Sequence, residues 1–324
     1  MTASRIRGVL APVLSAFSDR AEFDMHRTIA HCRWLLENGC DGLVVFGTTS
    51  EANSCSVSER KTFLEKLISA GVQPDKLMPG TGCCSLNDTI ELTRHAVEFG
   101  CSGVLVLPPF YYKQVSVEGL FQYFSHLIES VNDERLQLYL YHIPPISMVP
   151  IPLDLVERLL QRFQGTVVGV KDSSGDWTSM QRFLQFTEKG FDVFAGSEEY
   201  LLPLLRAGGV GTISAAANVM PGPLQMLYKI WKQPNADERQ TAITKISAVL
   251  RSKPLIPGLK AILAKARGDT DWRQCRPPLI PLDAKDRQEL FADLDNAQFE
   301  WSALASGRAE ARTLPTIREK SRNW

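Results

Sequence analysis

Short apolar runs recur along the first two thirds of the chain, and a longer amphipathic segment separates each run from the next. Several runs are apolar at every position rather than at alternate positions, which is typical of strands buried on both faces of a parallel sheet. Each run is also too short for a buried helix. We therefore predict eight strands, at residues 9–14, 43–46, 77–80, 104–107, 138–141, 167–170, 193–195 and 210–213.

The segments between these runs have helical periodicity. Ser56 and Glu59 have the spacing of a capping box, which marks the start of a helix. Eight strands that alternate with helices predict an α/β fold, a (β/α)₈ TIM barrel, with an open doubly wound sheet as the alternative. In one segment the apolar side chains share a single helix face, at Leu120, Phe124, Leu127, Ile128 and Val131.

The alternation ends after residue 232. Pro234 interrupts the chain, and apolar positions with helical spacing follow at 243–250 and 259–266. A further helix is predicted over about 284–303. The prediction for domain organisation is a catalytic barrel at 1–232, a C-terminal helical region at 233–303, and a tail at 304–324 that is flexible or docks on a neighbour.

Composition and charge exclude several classes of partner. The 324 residues include 36 Lys and Arg and 36 Asp and Glu, so the formal net charge is zero. This balance argues against binding to nucleic acid or to an anionic membrane surface. The sequence has no uninterrupted apolar run long enough to span a membrane.

The cysteines and histidines lack the spacing of metal ligands. Seven cysteines form no C-x-x-C pair, which is typical of reduced thiols and predicts a cytoplasmic location. The five histidines show neither H-x-H nor H-E-x-x-H spacing, so we predict no metal site. No Walker motif or dinucleotide fingerprint follows the first strand, so no nucleotide cofactor is indicated.

Lys171 is the sharpest candidate for a reactive group. It closes the apolar run 167–170, at the strand end where barrels of this class carry their chemistry. An amine desolvated by apolar walls is a nucleophile that can attack a ketone and form a Schiff base. The alternative is a lysine whose stem packs on the strand end while its ammonium group lies in water.

Two neighbouring strand ends offer groups that suit such chemistry. Tyr141 could carry the protons that Schiff-base reactions need, or it could be a rim tyrosine bonded to a carbonyl. Gly47, Thr48 and Thr49 offer hydroxyl and backbone N–H groups that can cradle a carboxylate. The alternative for these threonines is a strand-to-helix turn in which they cap local backbone.

Together these segments resemble the dihydrodipicolinate synthase and N-acetylneuraminate lyase family of class I aldolases. The similarity extends from about Arg7 to about Ala297, and five ordered motifs carry it. They are Gly47-Thr48-Thr49 with Glu51, Pro109–Tyr112 followed by Glu118-Gly119-Leu120, Tyr141 with Pro144, Gly169 with Lys171-Asp172-Ser173, and Arg276-Pro277-Pro278-Leu279.

The resemblance implies a role for each catalytic residue. Lys171 would form the Schiff base with pyruvate or another 2-oxo acid, and Tyr141 would donate and accept protons. Thr48 and Thr49 would hold the carboxylate. Tyr112 would reach across a subunit interface to complete a proton relay with Tyr141 and a threonine, and we name Thr49 as the catalytic threonine. The family pattern also implies a homotetramer of two dimers and no cofactor, because the lysine itself activates the substrate.

The sequence departs from the synthase branch at two positions. Ile146 stands where dihydrodipicolinate synthases carry an arginine that grips the second substrate, which argues against that reaction. Ser50 replaces the usual glycine of the threonine-bearing turn. The segment 171–176 is more similar to the branches that act on 2-oxo sugar acids and on hydroxy-oxoglutarate and to the hydratase-aldolases.

Further candidates for substrate binding follow other predicted strands. Glu198 and Glu199 lie where the neuraminate lyase branch places acidic groups against substrate hydroxyls, although a solvated pair at a helix start explains them equally well. We also place Ser173, Gly196 and Ser214 in the substrate pocket, together with the turn at Gly47–Thr49.

The sequence therefore predicts a class I aldolase or lyase that acts on a 2-oxo acid, with a 2-oxo sugar acid as the expected substrate. The first alternative is a Schiff-base dehydratase of a deoxy sugar acid. The second is 4-hydroxy-tetrahydrodipicolinate synthase, which Ile146 disfavours. A barrel that binds ligands without turnover is a third hypothesis.

Overall fold

A parallel sheet forms the centre of the molecule in the computed structural model, which describes residues 5–305. Its seven strands are ordered β2-β1-β7-β6-β5-β4-β3, and every strand residue is buried, as the apolar runs predicted. The strands are β1 Gly8–Pro12, β2 Gly42–Val44, β3 Val104–Val106, β4 Leu138–His142, β5 Val167–Asp172, β6 Asp192–Ala195 and β7 Gly211–Ile213.

The prediction of a regular strand at 77–80 was wrong. This segment fills the gap between β2 and β3, but it forms only two isolated parallel bridges, from Leu77 to β2 and from Gly80 to β3. Pro79 lies between the bridges and has no N–H group to donate, so a continuous ladder cannot form. The sheet is thus nearly closed as a barrel, and the predicted TIM-barrel architecture is confirmed.

Helices surround the sheet. Ser56 and Glu59 form the predicted capping box at the start of the second helix, and the predicted apolar face of the fourth is buried. The helices are α1 Met25–Glu37, α2 Val57–Ser69, α3 Leu86–Glu98, α4 Val117–Val131, α5 Pro144–Ser147, α6 Leu153–Arg162, α7 Trp177–Leu184, α8 Leu201–Arg206, α9 Pro221–Ile230, α10 Ala236–Leu250, α11 Leu255–Arg267, α12 Ala284–Asn296 and α13 Ser302–Ala305.

The C-terminal helices differ from the prediction in one place. The single helix expected over 284–303 was wrong, because α12 ends at Asn296 and the chain resumes in α13. Gln298 lies between them with a φ of 61°, a left-handed conformation that cannot continue a right-handed helix. The predicted tail overlaps α13 at its first two residues, and the rest of it lies outside the described residues. The division into barrel and helical region remains a prediction.

The core consists of two hydrophobic clusters, and successive residues of a strand contribute to one cluster and then to the other. One cluster fills the barrel interior and includes Tyr139, Tyr141 and Phe194, while the other lies between the sheet and the helices. Successive strand residues point to opposite faces. Because Lys171 is the register partner of both Tyr141 and Phe194, it belongs to the interior face. No helix among residues 5–305 is long and apolar enough to cross a membrane.

Candidate active site

Lys171 and Tyr141 meet at the carboxyl ends of two neighbouring strands. Their exposed fractions are 4% and 5%, so both side chains are buried in the barrel. The Nζ atom of Lys171 lies 3.3 Å from the phenolic oxygen of Tyr141 and 4.4 Å from the centre of its ring. The structure therefore brings together the predicted nucleophile and the predicted proton carrier.

The residues Gly47–Ser50, which we name the threonine turn, follow β2 on the same rim. The hydroxyl oxygen of Thr48 lies 3.3 Å from the phenolic oxygen of Tyr141. Thr49 is 7% exposed, and within the described chain its hydroxyl makes no recorded hydrogen bond. The amine, the phenol and the Thr48 hydroxyl thus form one chain of polar contacts.

Ser50 fastens the threonine turn to the barrel. Its hydroxyl donates a hydrogen bond to the carbonyl of Val13 and accepts one of 3.0 Å from the backbone N–H of Phe46. Phe46 has a φ of 60°, a left-handed conformation that few residues other than glycine adopt. The serine that replaces the family's glycine therefore satisfies two buried backbone groups beside a strained residue.

His142 and Asp172 lie beside Tyr141 and Lys171 but on the outer face of their strands. They are register partners, and both are buried. Burial lowers the pKa of His142, and the Asp172 carboxylate partly opposes that shift. The Nδ1 atom of His142 accepts a 2.9 Å hydrogen bond from the backbone N–H of Ile151, which fixes the proton of the neutral ring on Nε2.

A cavity of about 370 Å³ opens next to Asp172. Apart from the residues of the threonine turn, five residues were predicted to bind substrate, and all five line this cavity. Lys171 and Tyr141 do not line the cavity, although the next residue, Asp172, does. At Gly196 a Cβ atom would lie 2.0 Å from the hydroxyl oxygen of Ser173, so no larger residue fits there. The five residues are Ser173, Gly196, Glu198, Glu199 and Ser214.

The two acidic residues of the cavity differ in environment. Glu198 is 6% exposed, and its two carboxylate oxygens accept hydrogen bonds from the hydroxyls of Ser214 and Ser247. Glu199 is half-buried and pairs with Arg251, which also donates a 3.3 Å hydrogen bond to the Ser197 hydroxyl. The hypothesis of a simple solvated pair therefore does not describe Glu198.

Tyr112 does not join the other predicted catalytic residues within one chain. Its side chain is 74% exposed, and its recorded contact is an edge-to-face pair with Tyr111 at 5.3 Å between ring centroids. Lys113 ties this loop to α5 by a 3.0 Å hydrogen bond to the carbonyl of Ser147. Tyr112 thus stands on an exposed surface above the rim.

The sequence reasoning missed three polar residues that shape the site. Ser247 and Arg251 come from α10 and its C-terminal cap, and nothing in their spacing linked them to the strand ends. Lys260 lies in the otherwise apolar middle of α11, and its charge among apolar neighbours is a signal that could have marked it. Helices that follow the barrel thus contribute to its rim.

Other chemistries find less support in the described residues. Within residues 5–305, no group of three or more His, Cys, Asp or Glu side chains is arranged to hold a metal ion. All seven cysteines are free thiols, and burial raises the pKa of Cys55 to about 11 and that of Cys101 to about 12. A thiol with a raised pKa is a poor nucleophile near neutral pH.

Comparison with known proteins places this arrangement in a family. The model of the dihydrodipicolinate synthetase family matches residues 5–297. The chain belongs to this family. An uncharacterized DapA-like lyase of Chloroflexus aurantiacus is 31% identical to this family member over 288 residues, which are 88% of this chain and 95% of the relative.

Two solved structures of the family are similar to this one. The dihydrodipicolinate synthase of Agrobacterium tumefaciens strain C58 is 31% identical, with a TM-score of 0.83 over 90% of this chain and 99% of that chain. The prophage protein YagE of E. coli K12, solved in complex with pyruvate, is 25% identical, with a TM-score of 0.82 over 92% and 100%. The chain is thus a class I lyase of the dihydrodipicolinate synthetase family, as the sequence motifs predicted.

Proposed function

We propose that this lyase forms a Schiff base between Lys171 and pyruvate, or the 2-oxo end of a larger 2-oxo acid. The observation that carries the proposal is the 3.3 Å contact of the Lys171 amine with the Tyr141 phenol. None of the ion pairs recorded for residues 5–305 includes Lys171, so no carboxylate occupies its amine. The pyruvate complex of the relative YagE supports pyruvate as the ligand.

In the proposed cleavage, the Lys171 amine adds to the C2 carbonyl of the substrate, and the Tyr141 phenol donates its proton to the departing hydroxyl, so that water leaves and an iminium and the Tyr141 phenolate remain. Tyr141 accepts the proton of the C4 hydroxyl as the C3–C4 bond breaks. The electron pair of that bond moves into the iminium and forms an enamine, and an aldehyde leaves. Protonation at C3 and hydrolysis then release pyruvate and restore the amine; condensation runs in reverse.

The threonine turn serves the substrate carboxylate in this proposal. Thr48 and Thr49 present hydroxyls at the rim, and backbone N–H groups of a tight turn add further donors. Because the Thr48 hydroxyl also lies 3.3 Å from the Tyr141 phenol, carboxylate binding and proton transfer share one hydrogen-bonded chain. A carboxylate held there would place the adjacent C2 carbonyl near the amine.

We infer a polyhydroxylated 2-oxo acid as the substrate class. The cavity, which Asp172 borders at the end of β5, is lined by serines and by the acidic residues Glu198 and Glu199, and its cation Arg251 is already paired with Glu199. Such a surface accepts hydrogen bonds from substrate hydroxyls but repels a second carboxylate.

Two other activities remain as hypotheses. A Schiff-base dehydratase would use the same residues and would differ in product, because it expels water instead of an aldehyde. The name of the Agrobacterium relative, dihydrodipicolinate synthase, favours the synthase reaction. Against it, Ile146 is 62% exposed and offers no charge to a second carboxylate.

Exchange of the pyruvate methyl protons with solvent tests the proposal without knowledge of the aldehyde. Enamine formation removes a C3 proton, so pyruvate in D₂O should lose its methyl signal in proton NMR when the enzyme is present. We expect Lys171→Ala to abolish the exchange and Lys189→Ala, an exposed lysine before β6, to leave it intact. Exchange that persists in Lys171→Ala would refute the proposal.

We also propose that the protein is a homotetramer of two dimers in which a second copy covers the surface around Tyr112. Four large apolar side chains are exposed there, which is unusual for a free surface. A mass measurement in solution should give a tetramer, and Tyr112→Arg should weaken it because the interface would bury an unpaired charge. The four side chains are Tyr111, Tyr112, Ile146 and Met148.

A cytoplasmic location remains part of the proposal. The seven free thiols support a reducing compartment. Cell fractionation with the native chain should recover the protein with cytoplasmic markers, and recovery elsewhere would contradict this assignment.

A further inference from the structure

A fully buried ion pair joins the C-terminal helices to the threonine turn. The side chains of Lys260, in the middle of α11, and Glu51, which directly follows the turn, are both 0% exposed. The Lys260 ammonium group pairs with Oε1 of Glu51 and donates a second hydrogen bond, 2.7 Å long, to the carbonyl of Gln274. Oε2 of Glu51 accepts a 2.8 Å hydrogen bond from the backbone N–H of Arg276.

Glu51 also fixes the backbone at the end of the threonine turn. Its φ is 56°, in the left-handed region that residues with a side chain rarely occupy. Its N–H donates a 3.0 Å hydrogen bond to the carbonyl of Thr48, so the residue closes the turn that carries the threonine hydroxyls. A strained conformation of this kind persists only where surrounding contacts determine it, and the contacts here come from Lys260 and Arg276.

Arg276 binds residues that follow Glu51 in the sequence. Its guanidinium donates to the carbonyl of Ser54 at 2.7 Å and pairs with Glu59 at 2.8 Å. The Lys260 and Arg276 cations each lie 4.6 Å from the centre of the Phe17 ring. Two cations from the C-terminal part of the chain thus hold the segment after the threonine turn.

Stability alone is a poor explanation for this pair. Burial of two charges carries a large desolvation cost, and apolar residues of similar volume often replace such a pair without loss of stability. What the pair does supply is a single geometry, because each charge satisfies the other and one further backbone group. That geometry is transmitted to Thr48 and Thr49 through one backbone turn.

We propose that Glu51 and Lys260 are positioning residues that hold the threonine turn in the shape that binds the substrate carboxylate. The C-terminal helices then take part in the pyruvate site although Lys171 and Tyr141 come from barrel strands. This proposal rests on the proposed function, since it presumes a Schiff base at Lys171 and a carboxylate at the turn.

Borohydride trapping at graded pyruvate concentrations tests the proposal in the full-length enzyme. We expect Glu51→Gln to raise the pyruvate concentration for half-maximal trapping by about tenfold to a hundredfold, since small misplacements of a binding group have effects of that size. Trapping at saturating pyruvate should remain complete. Propanal, a carbonyl compound without a carboxylate, should be trapped equally by the wild type and the variant.

Two further variants separate positioning from general loss of structure. Glu51→Met with Lys260→Met leaves no unpaired buried charge, although the N–H of Arg276 and the carbonyl of Gln274 lose a partner. The double variant should therefore unfold at a higher temperature than either single variant yet show the same shift for pyruvate. Lys253→Met removes an ion pair of Lys253 with Asp286 and Glu289, near the start of α11, and should leave the pyruvate curve unchanged.

The possible outcomes distinguish this positioning role from the proposed Schiff-base function on which it rests. A wild-type pyruvate curve in Glu51→Gln, or an equal loss of trapping with pyruvate and with propanal, would overturn the positioning role alone. Absence of any pyruvate adduct in the wild type would overturn the proposed function and this inference with it.

Discussion

The amine of Lys171 and the phenol of Tyr141 lie 3.3 Å apart because the two residues are register partners in the parallel strands β5 and β4. Partners in neighbouring strands point to the same face, here the barrel interior. The pair is therefore built on the sheet itself and needs no loop for its alignment. A site on rigid strands keeps its groups in reach of each other in the absence of substrate.

Loss of the Tyr141 hydroxyl should slow the proton transfer at C3 more than it slows Schiff-base formation, for which solvent can supply the proton. For Tyr141→Phe we expect exchange of the pyruvate methyl protons to slow by about 10²- to 10⁴-fold, the usual contribution of a general acid or base. The measurement is proton NMR in D₂O, alongside borohydride trapping, which should still label Lys171.

Tyr139→Phe is the matched control for that prediction. Tyr139 lies two residues earlier on β4 in the same interior cluster. The substitution removes a phenolic oxygen, as Tyr141→Phe does, but leaves the contact between Tyr141 and the Lys171 amine in place. Equal slowing in both variants would show that Tyr141 has no special role in proton transfer.

Loss of the ion pair between Arg251 and Glu199 should change which substrates the cavity accepts. Glu199→Gln removes the nearer of the two carboxylates that pair with Arg251 and leaves Glu198 at 3.9 Å, so the cation can bind a substrate's second carboxylate. We expect the ratio of activity on 2-oxo dicarboxylic acids to activity on polyhydroxylated 2-oxo acids to rise about tenfold, which corresponds to 1.4 kcal/mol. A pyruvate-release screen over both classes measures it.

Glu188→Gln, at an exposed position away from the cavity, is the control for that screen and should keep the wild-type ratio. The same screen tests the parent enzyme, which should release pyruvate from polyhydroxylated substrates. A product that has lost water but kept its carbon chain would instead identify a dehydratase.

Ser50 should contribute to stability through the backbone groups that it satisfies. Ser50→Ala leaves the buried N–H of Phe46 without its recorded acceptor, and an unsatisfied buried donor costs about 1–3 kcal/mol. Urea denaturation of the wild type and the variant measures the difference in free energy of unfolding. Ser58→Ala, at an exposed position in α2, should change it little; equal effects would contradict the account of Ser50.

The stability of the protein should fall as the pH drops below about 6.5, the usual pKa of histidine. Burial and the nearby Arg267 lower the pKa of His31 well below that value, although the hydrogen bond that the His31 ring donates to Oδ1 of Asn218 opposes the shift. Below 6.5 the unfolded chain therefore binds a proton that the folded chain excludes, and stability decreases with a slope of up to about 1.4 kcal/mol per pH unit. The lowered pKa of His142 adds to the effect in the same direction.

Denaturation of His31→Gln between about pH 5 and about pH 7 tests this linkage. The variant should show a shallower dependence on pH than the wild type, whatever its absolute stability. His126→Gln, at an exposed position, should keep the wild-type slope. An unchanged slope in His31→Gln would show that His31 is not linked to folding.

The barrel and the catalytic pair could be predicted because strand positions carry strong local signals. The runs before Tyr141 and Lys171 are apolar throughout, and parallel strands place their carboxyl ends on one rim. The run at 77–80 has the same apolar character, but Pro79 removes one hydrogen-bond donor and breaks the ladder. The hydrophobic pattern alone does not show whether each residue has a backbone N–H group to donate.

The contributions of the later helices could not be predicted in the same way. Lys260 and Glu51 are 209 residues apart in sequence, and only the packing of α11 against the barrel brings them together. Glu198 carried a local signal, but its partner Ser247 did not. Contacts of this kind depend on how helices dock, which the periodicity of each helix leaves open.

The most direct test of the central claim is the site of the pyruvate adduct. The wild-type enzyme should be reduced with borohydride in the presence of pyruvate, and peptide mass spectrometry should locate the label. The account predicts one reduced pyruvate on the peptide that contains Lys171, and none on any peptide of Lys171→Ala. An unlabelled wild-type protein, or a label that persists in Lys171→Ala, would contradict it.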